Sequence, residues 1–324
     1  MKTDYLSFHE KLSILTFSKS FQKKGLLFMT PPIHHVSLLT RHGQENVAFY
    51  TQLLGLRFVK NTVNQENHRM LHYYYGDYQG APGTVVTFFI VPLLGHRYDQ
   101  NHFLATIGLK VPRNSLNYWQ DRLTQAGVTV EKNENTLIFK DPDDVTIYLS
   151  EIDADPLPKD HQAQNDVPGD KQLIGIRSTE FHVPDAQATS DFFEQLLGWS
   201  TKDGRIQLNE TDFVDIIQTE TTDVSRMGRG SMDHIAFAIK DDETLEALHQ
   251  KAIAQGWNVE KIISRGYFKS LYIREPGDNR VEFATMAPGF TIDEPLETLG
   301  ESFALPPFLA DQRAEIEQNI YKEQ

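Results

Sequence analysis

The chain has 324 residues, enough for two domains of ordinary size, and its 40% hydrophobic and 23% charged residues describe an ordinary globular protein. Its formal net charge of −14 argues against a nucleic-acid partner, because phosphate binding requires a basic surface. The absence of cysteine excludes disulfides, thiolate nucleophiles and Cys-based zinc or iron–sulfur sites, which leaves His, Asp, Glu and Tyr as metal ligands.

The first part of the chain, residues 1–29, is predicted to be an N-terminal arm outside the folded domains. Glu10, Lys11 and Lys19 interrupt any apolar segment of the kind that a signal peptide needs. Met29 lies shortly before the first strong strand, which favours a start misassigned upstream; an amphipathic arm is the alternative. No apolar run approaches the roughly 20 residues of a membrane span, so we expect a cytoplasmic protein without a membrane partner.

The first folded segment predicts a strand, a helix and three further strands. The strand begins at Ile33, and the helix at 44–54 has apolar residues at helical spacing and ends at Gly55. Three strand-like runs follow, at 56–63, 70–75 and 84–91. Together these elements form one βαβββ unit.

The same unit recurs three times, beginning at Phe103, Ile174 and Met232, with the third copy shorter than the others. The helix endings agree best between units one and three, since Gln-Leu-Leu-Gly-Leu at 52–56 corresponds to Gln-Leu-Leu-Gly-Trp at 195–199. The chain therefore contains four copies of one supersecondary structure.

The repeats group into two halves. A segment rich in proline and charged residues, 155–173, is predicted to be the linker between them. Each half, at 31–154 and 174–288, holds two units. Residues 289–324 are predicted to form a C-terminal tail that includes a short helix at 310–321.

Three ligand-capable residues lie within otherwise apolar, strand-like runs: His35, His234 and Glu282. Polar side chains at such positions are costly to bury unless a partner compensates them. Two imidazoles and one carboxylate are also the set that holds a non-haem Fe(II) on one face and leaves its other coordination positions open. If the three residues converge, they form a metal site.

Short motifs spread along the repeats are Ile33-His34-His35, Phe49-Tyr50, Leu54-Gly55-Leu56, Tyr75-Gly76-Asp77, Pro82-Gly83-Thr84, Tyr267-Phe268-Lys269-Ser270, Arg274-Glu275-Pro276 and the run Pro288 to Leu296. Taken together they resemble the vicinal-oxygen-chelate (glyoxalase/bleomycin-resistance/dioxygenase) superfamily, and within it the four-module ring-cleaving dioxygenases that act on hydroquinones. The resemblance spans about residues 31–320. It implies an α+β fold of four βαβββ modules in two tandem domains.

The resemblance also implies that metal ligands come from the first and fourth strands of paired units. Counted back from the glycine that ends each helix, the histidine positions hold Ser178 in unit three and Ala105 or Thr106 in unit two. We predict that the carboxylate position holds Phe88 in unit one and Ile147 in unit two. One metal site between units one and four, and an empty cup between units two and three, are therefore expected.

The resemblance places three further residues beside the metal. Tyr272 would donate a proton to an oxygen of the substrate, Arg265 would stabilise negative charge, and His34 would act near the substrate, although strand alternation directs it to the opposite face. Asp233 stands where relatives often carry a second histidine. His72 either lines the cavity or packs in the core.

The function predicted from these features is an Fe(II)-dependent ring-cleaving dioxygenase that opens a hydroquinone- or catechol-type ring with O2, with a role in detoxifying quinone-type compounds. Mn(II) or Zn(II) could occupy the site on purification. The partners expected are a small aromatic substrate and O2, and a homo-oligomer is left open. One alternative is a glyoxalase-like isomerase or thiol transferase, against which Phe88 at the second carboxylate position argues. The other is a non-catalytic quinone-binding protein.

Overall fold

The computed structural model describes residues 28–322, so nearly all of the arm predicted at 1–29 lies outside the described residues. The described strands, β1 to β15 in chain order, are Phe28–Thr40, Arg57–Val63, Leu71–Gly76, Val85–Ile90, Phe103–Val111, Glu131–Asn133, Thr136–Lys140, Thr146–Glu151, Gly175–Val183, Arg205–Gln207, Phe213–Gln218, Met232–Ile239, Asn258–Ser264, Lys269–Arg274 and Arg280–Thr285.

The described α-helices, α1 to α5, are Gly43–Val47, Leu116–Gln125, Ala186–Leu197, Asp242–Ala254 and Arg313–Lys322. Helix α1 continues as a π-helical segment, Ala48–Leu53. Short 3₁₀ turns occupy Lys159–His161, Phe290–Ile292, Leu296–Thr298 and Pro307–Gln312. None of the helices within residues 28–322 has the length and apolarity that crossing a bilayer requires.

Each module is organised by the same strand pairing, because its first strand lies parallel to its last. β1 pairs with β4, β5 with β8, β9 with β11, and β12 with β15. Module three is the shorter copy, with only β10 and β11 after its helix. The α+β fold of four repeated modules in two tandem domains is therefore confirmed, with three modules complete as βαβββ and the third shortened by one strand, while the residue boundaries 31–154 and 174–288 stay a prediction.

Glycines end the module helices as the sequence predicts. Gly55 and Gly198 have φ angles of 70° and 71°, in the left-handed region that only glycine adopts at low cost. The backbone can therefore turn sharply from each helix towards the next strand.

The modules pair through their first strands. β1 lies antiparallel to β12, which joins modules one and four, and β5 lies antiparallel to β9, which joins modules two and three. A single pairing between Leu104 of β5 and Met232 of β12 connects the two module pairs into one fifteen-stranded sheet. The sheet face of each module pair that is turned away from the helix core is here called a cup.

The two faces of the sheet differ in polarity because side chains alternate along a strand. On one face, Val36, Leu38 and Phe88 are fully buried in the main apolar core together with Tyr50 of the π-helical segment. On the other face, the Ser37 hydroxyl lies 2.6 Å from the hydroxyl of Thr87. Polar groups of modules one and four are therefore collected inside their cup.

The predicted linker packs closely on the first half of the chain. Val167 is 2% exposed, and the Asn165 side chain donates a hydrogen bond to the Gly55 carbonyl over 2.7 Å. His161 lies 2.6 Å from the Asp77 carboxylate. These contacts fix residues 155–173 against module one.

The C-terminal tail returns to module one, since the Ala304 amide donates to the Asn61 carbonyl over 2.8 Å. The helix predicted at 310–321 is present as a 3₁₀ turn followed by α5. The apolar residues of this segment pack together on Val63; they are Leu305, Leu309, Ile316 and Ile320.

A buried lysine ties the tail to β2. The Lys60 ammonium is inaccessible to solvent and lies 2.6 Å from Asp293, 2.5 Å from Glu294 and 3.0 Å from the Phe290 carbonyl. Tyr267 donates to the second Asp293 oxygen over 2.8 Å. Two carboxylates and one ammonium at such a position stabilise the fold only while each has its partners.

We predict that Lys60→Met lowers the free energy of unfolding by about 3–5 kcal/mol, because it leaves the two carboxylates without their shared cation. Urea unfolding followed by circular dichroism measures the change. Lys140→Met is the control, since Lys140 is 62% exposed and its loss should cost below about 0.5 kcal/mol. A loss at Lys60 as small as that of the control would contradict the prediction.

Candidate metal centre

The three predicted ligands meet in the cup of modules one and four. His35 lies on β1, His234 on β12 and Glu282 on β15, and none is more than 3% exposed. The two Nε2 atoms are 3.2 Å apart, and Glu282 Oε2 lies 2.8 Å from Nε2 of His234 and 3.4 Å from Nε2 of His35. Within residues 28–322, this is the one cluster of three such side chains able to share a metal ion.

Strand register explains why these residues meet. In the β1–β12 pair, His35 lies opposite Ala236 and Ser37 lies opposite His234. In the β12–β15 pair, Ala236 lies beside Glu282. The three ligands therefore occupy one face of three adjacent strands, although nearly 250 residues separate the first from the last.

The ionisation of the trio follows from burial and mutual attraction. Burial raises the pKa of Glu282, but the two neighbouring imidazoles outweigh it and hold that pKa well below its usual value. Burial lowers the pKa of His35, and Glu282 only partly offsets this. For His234, burial also opposes the charge, but Glu282 and Asp233 raise its pKa. The carboxylate is therefore ionised between the two rings.

Neighbouring groups orient two of the three ligands. Asp233 accepts a hydrogen bond from Nδ1 of His234 over 2.7 Å and is held by Arg280 at 2.8 Å. Because a carboxylate can only accept, Nδ1 carries a proton, which leaves Nε2 as the atom of His234 that would bind a metal ion. Ser270 donates to the other oxygen of Glu282, Oε1, over 2.5 Å.

The trio fits a metal ion by its donor chemistry. Buried Oε2 of Glu282 has no hydrogen-bond donor in suitable geometry among the described residues, although its charge is retained. Metal bonds of about 2.1 Å meeting at right angles would bring adjacent ligand atoms to about 3.0 Å from each other. The observed separations of 2.8, 3.2 and 3.4 Å bracket that value.

Tyr272 and Arg265 lie beside the trio, as the resemblance implies. Tyr272 on β14 pairs directly with Glu282, and its ring centre is 5.5 Å from that of His234. Arg265 donates through Nε to the Tyr272 oxygen over 3.1 Å. Burial and the Glu282 charge raise the pKa of Tyr272 well above its ordinary value, so the hydroxyl keeps its proton.

His34 lies behind His35 and not in the cup opening. A β-bulge between Ile33 and His35 breaks the strict alternation, so the expectation that His34 points to the opposite face is wrong. Its Nδ1 is 2.9 Å from Nδ1 of His35, and its ring packs on Phe268. Burial, helped by His35, lowers the pKa of His34 to about 3, so the ring is neutral.

A cavity of about 290 Å³ opens from the trio towards solvent. His72 both lines it and packs: its Nδ1 is 2.9 Å from the Tyr74 hydroxyl and its Nε2 is 2.8 Å from the Thr87 hydroxyl. Other lining residues are Leu39, Glu66, Met70, Phe89, Lys261, Arg265, Phe268 and Tyr272. The cavity thus joins the trio to walls that carry both apolar and charged side chains.

The sequence profile described as the Glyoxalase/Bleomycin resistance protein/Dioxygenase superfamily matches residues 32–149 and 175–283. The chain belongs to this superfamily. It is 34% identical to MhqA of Bacillus subtilis (strain 168), provisionally named a ring-cleaving dioxygenase, over 89% of this chain and 97% of MhqA. It is 27% identical to the chlorohydroquinone/hydroquinone 1,2-dioxygenase of Sphingobium indicum, over 88% of this chain and 94% of that enzyme.

Solved structures of the superfamily share the fold. A crystal structure of a Bacillus subtilis protein, provisionally described as a dioxygenase, superposes with a TM-score of 0.82 at 28% identity, over 90% of this chain and 97% of that one. Glyoxalase I from Zea mays superposes with a TM-score of 0.53 at 12% identity, over 78% and 92% of the two chains. At that identity the second likeness concerns the fold alone.

The strand register shows that the carboxylate positions predicted for modules one and two were each misplaced by one residue. In module one, Ser37 lies two residues after His35 and pairs with Thr87, so Thr87 takes the place of Glu282. Phe88 faces the helix core instead, 4.8 Å from the Tyr50 ring. The sequence prediction was wrong by one residue, which in a strand exchanges the two faces.

Module two shows a shift of one residue in the opposite direction, from Ile147 to Tyr148. Ser178 lies opposite Gly108, as His35 lies opposite Ala236, so Gly108 is the counterpart of Ala236. Its parallel partner is Tyr148, which takes the carboxylate position, whereas Ile147 is fully buried in the core. Neither module one nor module two therefore supplies a second carboxylate.

Three residues of the centre were missed by sequence reasoning. Asp233 stands where relatives often carry a histidine, and its place directly before a ligand histidine is a usable signal, because metal-bound imidazoles usually donate to a carboxylate or carbonyl. Ser270 lies within the Tyr-Phe-Lys-Ser motif without an assigned role. Glu66 lies in a loop and carries no pattern that would reveal it.

We predict that Asp233→Asn weakens metal binding by roughly 10- to 100-fold, because the neutral amide no longer fixes the His234 tautomer and removes the negative charge beside that ligand. Competition with a chromogenic chelator measures the affinity for Zn(II) without any assay of turnover. Asp155→Asn is the control, since Asp155 is 89% exposed on the surface. Equal affinities in the two variants would contradict the prediction.

Proposed function

We propose that this protein is a ring-cleaving dioxygenase that opens a hydroquinone-type aromatic ring with O2, and that His35, His234 and Glu282 hold an Fe(II) ion. The observation that carries the proposal is the buried His-His-Glu set, whose ligand atoms face one another and open on one side into a cavity of about 290 Å³. The names of the relatives support the ring-cleaving reaction. Catechol is the second choice of substrate.

Iron in such a site supplies open coordination positions for a phenolate oxygen and for O2, and it lets electron density pass from the ring to O2. The protein supplies the positioning. Asp233 fixes His234 through its Nδ1, and His34 contacts His35 at the equivalent atom. Ser270 holds Glu282. Three ligands held in this way need little rearrangement during the reaction.

Proton donation is assigned to Tyr272. Arg265 donates into the Tyr272 oxygen, so the hydroxyl hydrogen is left for an acceptor in the cavity. The raised pKa keeps that hydrogen in place at neutral pH. The Arg265 guanidinium, 8% exposed, stabilises negative charge that develops on the oxygen receiving the proton. His34 is assigned to holding His35 rather than to moving a proton, because it does not line the cavity.

The ring itself would lie between apolar side chains. Leu39, Met70, Phe89 and Phe268 line the cavity. A planar aromatic substrate buries its faces against such walls while its oxygens meet the polar groups.

The chemistry of position 87 argues against the glyoxalase-like alternative. That alternative needs a second carboxylate from module one, and the register gives that position to Thr87. The Thr87 hydroxyl is already shared between Ser37 and His72.

The complete, buried ligand set argues against the second alternative, a protein that only binds quinones.

We predict that the protein, purified without oxygen and loaded with Fe(II), consumes O2 when a substituted hydroquinone is added and yields a ring-opened product. An oxygen electrode and mass spectrometry of the product provide the measurement. His234→Ala should abolish both iron retention and O2 consumption. Isomerisation of a thiol adduct without O2 uptake would overturn the proposal, and full iron retention in His234→Ala would refute the ligand set.

We predict that Tyr272→Phe lowers kcat by roughly 10²- to 10³-fold, because the proton donor is lost while the ligands stay in place. Steady-state kinetics beside an iron determination separates the two effects, and iron content should be unchanged. Tyr148→Phe, in the other cup, is the matched control with wild-type kcat. An iron-loaded Tyr272→Phe enzyme with wild-type kcat would remove Tyr272 from the mechanism.

A further inference from the structure

A loop of module one reaches across the cavity mouth to module four. It connects β2 to β3, and Asn64, Gln65, Glu66, Asn67 and Met70 of this loop line the cavity. Glu66 is the residue that makes the contact across the mouth. Its two oxygens lie 2.7 and 2.8 Å from the ammonium of Lys261, and one of them lies 2.8 Å from Nη1 of Arg265.

Glu66 therefore balances two cations at once. Lys261, on β13, and Arg265, just after it, both line the cavity. Burial raises the pKa of the Glu66 carboxyl, but its hydrogen bond to Lys261 and the Arg265 charge outweigh burial and hold it below its ordinary value. The carboxylate is charged at neutral pH and is in direct contact with both cations.

The third lining cation is balanced separately. Arg280 lies 2.8 Å from Asp233 and 2.6 Å from Glu260. An anionic group entering the cavity would thus meet cations that already have carboxylate partners, and it would meet the Glu66 charge itself. Like charges brought together in a partly buried site disfavour binding.

The rest of the cavity suits uncharged substituents. Leu39, Met70, Phe89 and Phe268 provide apolar contact, and the volume of about 290 Å³ lies at the lower end for small-molecule sites. One substituted ring is therefore the size of ligand that this cavity can enclose.

We propose that Glu66 is a specificity-determining residue that excludes aromatic rings carrying an ionised acid, by occupying Lys261 and Arg265, and so restricts the site to hydroquinones with uncharged substituents. This inference rests on the proposed function, which it deepens by naming the substrate class. It assigns no chemical step to Glu66.

A matched pair of ligands tests the inference: (2,5-dihydroxyphenyl)acetate and its neutral amide, which have nearly the same shape. The protein is loaded with Zn(II), which has no redox chemistry, and titrated without oxygen in a calorimeter. Wild type should bind the amide roughly tenfold or more tightly than the acid. Glu66→Gln should reduce this preference by roughly tenfold, because Lys261 and Arg265 become available to the ligand carboxylate.

Two further variants sharpen the result. Glu246→Gln makes the same chemical change on α4, outside the cavity, and should keep the wild-type preference. Combining Glu66→Gln with Lys261→Gln should restore most of the preference for the amide, since the released cation is removed. The inference is overturned if the ratio of amide to acid affinity in Glu66→Gln lies within twofold of the wild-type ratio. It is also overturned if the wild-type protein binds both ligands equally well, or binds neither of them.

The failure of this inference is distinguishable from the failure of the proposed function. O2 uptake by the Fe(II)-loaded protein with the amide, together with an unchanged preference in Glu66→Gln, keeps the dioxygenase and rejects the role of Glu66. No O2 uptake with either ligand rejects the dioxygenase, while the binding ratio measured with Zn(II) still decides whether Glu66 selects ligands by charge.

Discussion

The antiparallel pairing of β1 with β12 is the constraint on which the candidate centre depends. It brings the Nε2 atoms of His35 and His234 to 3.2 Å although 199 positions separate the residues in sequence. Glu282 follows because β15 lies parallel to β12. The site thus belongs to neither half of the chain alone, and the tail reinforces the pairing by joining Lys60 of module one to Asp293. Folding of both halves is a precondition for any metal binding.

Burying an ionised carboxylate beside two imidazoles is costly unless each polar atom has a partner. The cup meets this requirement in successive layers. Ser270 donates to Oε1 of Glu282, Asp233 accepts from Nδ1 of His234, and Arg280 contacts Asp233. Three atoms are left without such a supporting partner: Oε2 of Glu282 and the Nε2 atoms of His35 and His234. These three atoms define the place for a cation. The polar network therefore both stabilises the fold and specifies the ligand atoms that stay available.

Repetition made much of this structure predictable. Glycine-terminated helices revealed four modules, and the trio stood out because its polar side chains interrupt apolar strands. The strand register could not be predicted to a single residue. Thr87 faces the cup and its neighbour Phe88 faces the core, and composition alone cannot show which of two neighbouring residues takes which face. The bulge at His34 is a local departure of the same kind. Glu66 escaped because its contact with Lys261 spans 195 positions and joins a loop to a strand edge.

The second cup shows why position alone does not make a metal site. By register, Asp215 of module three occupies the position that Glu282 has in module four, since it pairs with Glu180, two residues after Ser178. Arg205 contacts Asp215 through two hydrogen bonds, at 2.6 and 2.8 Å, which neutralise it. The remaining positions hold Ser178, Ala105 or Thr106, and Tyr148, none of which is a histidine. At these four positions the second cup offers one carboxylate, already held by arginine, and no imidazole, so among the described residues the shared backbone geometry assembles a three-ligand centre in the first cup alone.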